Sequence, residues 1–174
     1  MKLIQLLENE FVSIKPSDIK IENGIMIPNQ FPDKVDIFDC SQLKQLTSLE
    51  NCPKQIMDFI TCSDTNITSL DYAPLQCKTF RCTKNNIIHL KEIGRKYLKD
   101  CRTLILPDTI KSNILGLCRV KNLKFIEIED KNLDLVYSGD LYDAIEIIEN
   151  YLHKDIDDCA EELTQNGFND YAKF

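Results

Sequence analysis

The sequence predicts a one-domain α/β solenoid: a parallel β-sheet of about five to six short strands with an irregular or helical convex side, an N-terminal helix and a C-terminal helical cap. Three observations carry this reading. An apolar pattern recurs along residues 35–136, starting at 35, 57, 77, 101 and 123 with periods of 22, 20, 24 and 22, as expected of a chain that coils and stacks on itself. Within each repeat the apolar residues occupy relative positions 1, 4 and 6, which lets a short strand point them into a core. Beyond residue 136 the apolar spacing changes to i, i+3, i+4, i+7, which is that of an amphipathic helix.

Taken in chain order, residues 1–34 supply the first cover. Leu3, Leu6, Leu7 and Phe11 form a helical stripe, and Ile19 and Ile21 begin a degenerate first turn. Residues 35–136 form the solenoid. Its apolar columns read Val35, Met57, Cys77, Cys101, Leu123, then Phe38, Ile60, Phe80, Leu104, Ile126, then Cys40, Cys62, Cys82, Leu106, Ile128. The column at the turn reads Leu43, Thr65, Asn85, Thr109, Lys131, so a continuous asparagine ladder is largely lost. Helical turns are expected on the convex side around 91–99 and 112–120. Residues 137–174 form the acidic cap. Asp140 is placed to cap a helix that buries Leu141, Ala144, Ile145, Ile148 and Leu152, and a second helix from Asp155 buries Ile156, Cys159, Ala160 and Leu163 before stopping at Gly167, since terminal turns otherwise expose core.

Two stretches narrow the pattern. Leu46-Thr47-Ser48-Leu49-Glu50-Asn51-Cys52-Pro53 and Ile67-Thr68-Ser69-Leu70-Asp71-Tyr72-Ala73-Pro74 resemble units of the short-period leucine-rich-repeat proteins of tailed bacteriophages and some large DNA viruses. The resemblance covers about 35–136 and implies a fold and a binding habit, not a reaction. In a viral setting it implies an inhibitor, adaptor or host-takeover factor in the host cytoplasm.

Composition bounds the function classes. The chain has 174 residues, 43% hydrophobic and 28% charged, with only five Gly and six Pro, which excludes collagen-like and low-complexity chains. No apolar stretch approaches the roughly 20 residues of a membrane-spanning helix. Acidic residues within the first ten, without a small-residue cleavage site, predict no secretory signal and a cytoplasmic location. The charge is polarised within a net −7: −5 over 1–76, +9 over 77–124 and −11 over 125–174.

No catalytic constellation or cofactor is predicted. The eight cysteines contain no Cys-x-x-Cys pair, so they read as buried thiols in place of a metal site or disulfides. His89 lies between core positions and His153 between helices, away from a nucleophile's needs. The acidic cluster Asp155, Asp157, Asp158, Glu161 and Glu162 lacks a calcium-loop glycine and follows helical spacing. Glycine-rich phosphate loops are absent.

What remains is the exposed strand face, whose columns read Ile37, Phe59, Thr79, Thr103, Phe125, then Asp39, Thr61, Arg81, Ile105, Glu127, then Ser41, Ser63, Thr83, Pro107, Glu129. Apolar side chains beside an arginine suit a protein-binding hot spot, so Phe59, Thr61, Arg81, Ile105, Phe125 and Glu127 are the candidate partner-binding residues on the concave side. The alternatives are nucleic-acid binding through the basic 77–124 region, where Lys91, Arg95, Lys96 and Lys99 fall on a convex helix, or nucleic-acid mimicry by the acidic 125–174 region.

Overall fold

The computed structural model describes residues 11–174. Its strands are β1 (Ser13–Ile14), β2 (Ile21–Glu22), β3 (Ile25–Met26), β4 (Lys34–Asp39), β5 (Gln55–Thr61), β6 (Gln76–Arg81), β7 (Asp100–Pro107) and β8 (Phe125–Glu129). Six of them form one all-parallel sheet in the order β1-β4-β5-β6-β7-β8. The chain is therefore a solenoid of about five turns, with each strand laid beside the one before it in sequence.

The apolar columns follow the repeat. Phe38 pairs with Ile60, Ile60 with Phe80, Phe80 with Leu104 and Leu104 with Ile126; the first four are buried and Ile126 is half-buried. The third column, Cys40, Cys62, Cys82, Leu106 and Ile128, is buried throughout. Its thiols form a rung of their own: Cys40, Cys62 and Cys82 donate to the carbonyls of Thr61, Arg81 and Ile105 at 3.4, 3.6 and 3.7 Å. The first column needs one correction. Val35 pairs with Ile56, not Met57. β5 places three residues between Gln55 and Phe59 where β6 places two between their partners, Gln76 and Thr79. This bulge turns Ile56 fully into the core and leaves Met57 39% exposed.

At the turns, threonine replaces part of the missing ladder. Asn85 Oδ1 accepts from the Thr65 backbone N–H and hydroxyl at 2.9 and 3.0 Å, while Asn85 Nδ2 donates to the carbonyls of Cys62 and Cys82 at 2.8 and 3.0 Å. Thr109 then donates to the carbonyls of Asn85 and Ile87. Three adjacent turns are thus locked through side chains that satisfy buried backbone groups.

The convex side is irregular. No helix forms over 91–99, where Glu92, Gly94 and Leu98 have φ of 62°, 72° and 48°. A Cβ on Gly94 would sit 2.3 Å from the Gly116 carbonyl oxygen, so glycine allows these two turns to touch. The 112–120 stretch does contain a 3-10 helix, Leu115–Arg119, which buries Leu115, Leu117 and Cys118.

Leu3, Leu6 and Leu7 lie outside the described residues. Phe11 is exposed and not helical, and the first parallel strand is Ser13–Ile14. Ile21 belongs instead to an antiparallel β2-β3 hairpin, which buries Met26 and is held by Asn51 Nδ2 donating to the Met26 carbonyl at 2.8 Å.

At the other end α1 (Asp140–Asn150) buries Leu141, Ala144, Ile145 and Ile148, and α2 (Ile156–Gln165) buries Cys159 and Leu163. Ile156, Ala160 and Leu152 are half-buried. Gly139, not Asp140, is the cap of α1; Asp140 sits in the first turn, where a carboxylate still suits the helix dipole. Asp155 caps α2, its carboxylate accepting from the Asp157 N–H at 2.8 Å. α1 packs on β8 and on the 3-10 helix, and α2 packs on the same 3-10 helix. Among the described residues no helix is long and apolar enough to cross a membrane.

Candidate functional site: the open face of the sheet

Strand alternation divides each repeat between core and open face, so the residues between the buried columns line up across the sheet. Ile37, Phe59, Thr79, Thr103 and Phe125 are successive register partners, as are Asp39, Thr61, Arg81, Ile105 and Glu127. The structure therefore brings all six candidate residues, Phe59, Thr61, Arg81, Ile105, Phe125 and Glu127, onto one face. Phe59, Thr61, Arg81 and Ile105 are half-buried by their neighbours, whereas Glu127 is exposed and Phe125 is 51% exposed. The helical cap meets the sheet at β8, and among the described residues Phe125 and Glu127 of that strand stay exposed.

Arg81 is not a free cation. Its Nη2 pairs with Glu129 Oε2 at 2.7 Å, spanning β7, and Glu129 is only 7% exposed. Its buried Nε has no partner among the described residues. The outermost predicted column is also more enclosed than the alternation implies. Thr83, Pro107 and Glu129 are buried. Thr83 is held there by Ser63 Oγ, which accepts from its N–H and hydroxyl at 3.2 and 3.1 Å. Glu129 was missed as a site residue, since its role depends on a contact 48 residues away in sequence.

The strand starts carry the opposite charge. Lys99, Arg102, Lys121 and Lys124 are exposed, and among the described residues none lies in an ion pair. Backbone bonds stack them on two adjacent turns: Lys121 N–H donates to the Lys99 carbonyl and Lys124 N–H to the Arg102 carbonyl, both at 2.9 Å. The Arg102 guanidinium lies 6.0 Å from the centre of the Phe125 ring. This cluster was also missed. Its signal is the column Asp36, Asp58, Lys78, Arg102, Lys124, which changes sign between β5 and β6. The basic residues assigned to a convex helix behave differently: Arg95 and Lys96 pair with Glu92 at 4.0 and 3.4 Å on a non-helical turn.

All eight cysteines are buried and unpaired by disulfides. Burial pushes the thiols of Cys40, Cys62 and Cys82 well up, and that of Cys52 up to about 12. Cys77 is raised first by its contact with Cys101 at 3.5 Å and then by burial. Cys118 is the exception: its 3.7 Å contact with Cys159 holds it below the ordinary thiol value and pushes Cys159 up. His153 Nε2 lies 3.2 Å from the Leu123 carbonyl oxygen, and His89 is half-buried on a bridge to Ser112. Among the described residues no cluster of His, Cys, Asp or Glu is arranged to hold a metal ion. A cleft of about 610 Å³ lies off the open face, between the last turn and the cap; its Asp108, Asp140 and Asp170 are exposed to solvent. No family model, curated protein or solved structure matches the chain.

Proposed function

We propose that the chain is a non-enzymatic protein-binding module of leucine-rich-repeat type, which grips a protein partner through the open face of its parallel sheet. The observation that supports this is that Phe59 and Phe125 share one register column and Ile105 lies in the neighbouring one, which sets three apolar side chains on one face of the sheet. Partly desolvated aromatic and aliphatic anchors with a polar rim are the usual core of a protein interface. In the viral setting that the repeat resemblance implies, the module acts as an inhibitor or adaptor on a host or viral protein.

A photo-crosslinking amino acid at Thr103, between Thr79 and Phe125 in the register, tests this directly. One discrete crosslinked protein is expected from cell extract, and Phe59→Ala or Phe125→Ala should reduce its yield at least tenfold, the loss of a hot-spot anchor. Equal crosslinking in the parent and both variants would sink the proposal. The same probe at Asn66, on an exposed turn, serves as the control.

A further inference from the structure

The charge pattern of the open face identifies the chemistry of its partner. We infer that the partner presents a short acidic segment flanking an apolar side chain. The acidic segment docks on the leading edge of β7 and β8, at Lys99, Arg102, Lys121 and Lys124, while the apolar group rests on Phe125. This inference rests on the sheet-face reading above.

Four exposed cations without an ion-pair partner among the described residues occupy two adjacent turns, and strand neighbours stand only about 5 Å apart. Like charges so close repel one another unless something anionic covers them. Asp100 is the one carboxylate between them, and its Oδ1 accepts from Asn122 Nδ2 at 2.9 Å. Elsewhere on the sheet Lys78 pairs with Asp58 at 3.0 Å and Arg81 with Glu129 at 2.7 Å, and the starts of β4 and β5 carry one exposed lysine each, Lys34 and Lys54, against two cations on each of the β7 and β8 turns. Among the described residues the four cations are therefore the densest unpaired positive cluster along the strand starts.

The extent of the patch argues for a peptide over a nucleic acid. Two exposed carboxylates outside any ion pair among the described residues flank it: Glu127 on β8 and Glu149 of α1 beside the Ile126 N–H. A phosphate chain longer than a few nucleotides would run over like charge. Phe125 is one ring, with no second exposed aromatic in its register column to continue a base-stacking platform, which single-strand binders use repeatedly. A run of two to four acidic residues beside a leucine or phenylalanine matches both the charge and the apolar neighbour. It also fixes the partner's direction, with its acidic end over the strand starts.

The test is selection from a random peptide display library on the full 174-residue chain, followed by affinity measurement with the enriched synthetic peptide. Enriched peptides should carry at least two Asp or Glu within four residues of a large apolar side chain. Arg102→Glu/Lys124→Glu, or Glu-to-Gln replacement in the peptide, should weaken binding at least tenfold. The milder Arg102→Gln/Lys124→Gln should weaken it in the same direction, which guards against misfolding of the charge-reversed chain. Enrichment without acidic bias, or unchanged affinity in both double variants, would overturn the inference. So would tighter binding of a twelve-residue oligo-dT with a log–log salt slope near about −3, the value for four phosphate contacts. Phe59→Ala separates the two readings. If it weakens binding while the charge variants do not, the open face stands and the acidic partner falls; if the parent chain enriches no peptide, both fall.

Discussion

In the turns carried by β5 and β6, one column hands its contacts to the next. Thr65 bonds Asn85, Asn85 bonds the carbonyls of two turns, and each column thiol bonds the carbonyl of the following strand. The C-terminal cap has no such repeating column, although single long-range contacts tie it to the solenoid: Asn113 Nδ2 donates to the Phe174 carbonyl, the Tyr171 hydroxyl to the Ile110 carbonyl, and Cys118 meets Cys159. α1 and α2 hold together by amphipathic spacing, one side-chain cap at Asp155 and the hydroxyl of Tyr151 donating to Glu162 at 2.6 Å. The solenoid interior is bound at successive turns by buried polar groups and thiols whose partners lie about 20 residues away, while α1 and α2 are bound mainly by apolar side chains and local hydrogen bonds. Chemistry that attacks buried hydrogen-bonding groups should therefore strike the turns harder than the cap.

Alkaline pH should show the largest difference. Burial raises the folded-state thiols of Cys40, Cys52, Cys62 and Cys82, and the Cys101 contact with burial raises that of Cys77. A raised folded value means that the stabilisation is complete below the unfolded thiol value, about 8.5, and is lost as pH rises above it. Each such thiol adds about 1.4 kcal/mol of lost stability per pH unit, so five approach about 7 kcal/mol per unit against a total of about 5–15. The urea midpoint should fall steeply between pH 8.5 and 10, and Cys62→Val/Cys82→Val should flatten that fall by about two fifths. A midpoint constant to pH 10 would mean that these thiols are accessible in the native state.

Two polar deletions sharpen the contrast. Asn85→Ala strands the Thr65 N–H and the Cys82 carbonyl in the interior, while the Cys62 carbonyl keeps the Thr65 hydroxyl, and at about 1 kcal/mol or more for each buried group left unpaired it should cost about 2 kcal/mol. The loss should appear in the global unfolding transition. Asp155→Ala removes one helix cap, worth about 1 kcal/mol, and hydrogen exchange should quicken in α2 without reaching β5 or β6. Equal exchange changes in both regions would show that cap and turns unfold as one unit.

Which parts of this were legible in the sequence follows from the range of the interactions. The core columns and the face columns through Phe125 were readable because strand alternation is local and the repeat aligns it. Met57 was misplaced because a bulge is an insertion of one residue, and nothing in Gln55 to Phe59 distinguishes the extra residue from a repeat residue. Asp140 has the side chain of a cap, but the backbone enters α1 through Gly139 at φ 105°, a conformation that a side-chain preference does not reveal. The Thr65-Asn85-Thr109 column stands in the sequence, but its pattern does not show that threonine hydroxyls perform part of the work of an asparagine ladder. Arg81 was assigned to a partner on composition, and only the fold brings Glu129 within 2.7 Å of it. A helix expected over 91–99 groups Lys99 with Arg95 and Lys96, whereas the fold stacks it on Lys121, so the cation cluster is not legible from spacing.

The smallest predicted effect tests whether the cap carries any buried charge cost of its own. Burial raises the Glu149 carboxyl above its usual range; the Ile126 N–H opposes the shift and the Glu146 carboxylate adds to it. A raised carboxyl favours the folded state when protonated, so that contribution is present below the ordinary glutamate value, about 4.3, and is lost as pH rises through the folded value. At neutral pH the charged side chain therefore costs the cap a little, and Glu149→Gln should remove that cost. Because Glu149 is largely solvent-exposed, the gain should stay below about 0.5 kcal/mol. It should appear as a slightly higher melting midpoint at pH 7 that converges with the parent near pH 4. A lower midpoint at pH 7 would mean that the bond from the Ile126 N–H outweighs desolvation, and that the α1 contact with β8 depends on a charged hydrogen bond as the inner turns depend on neutral ones.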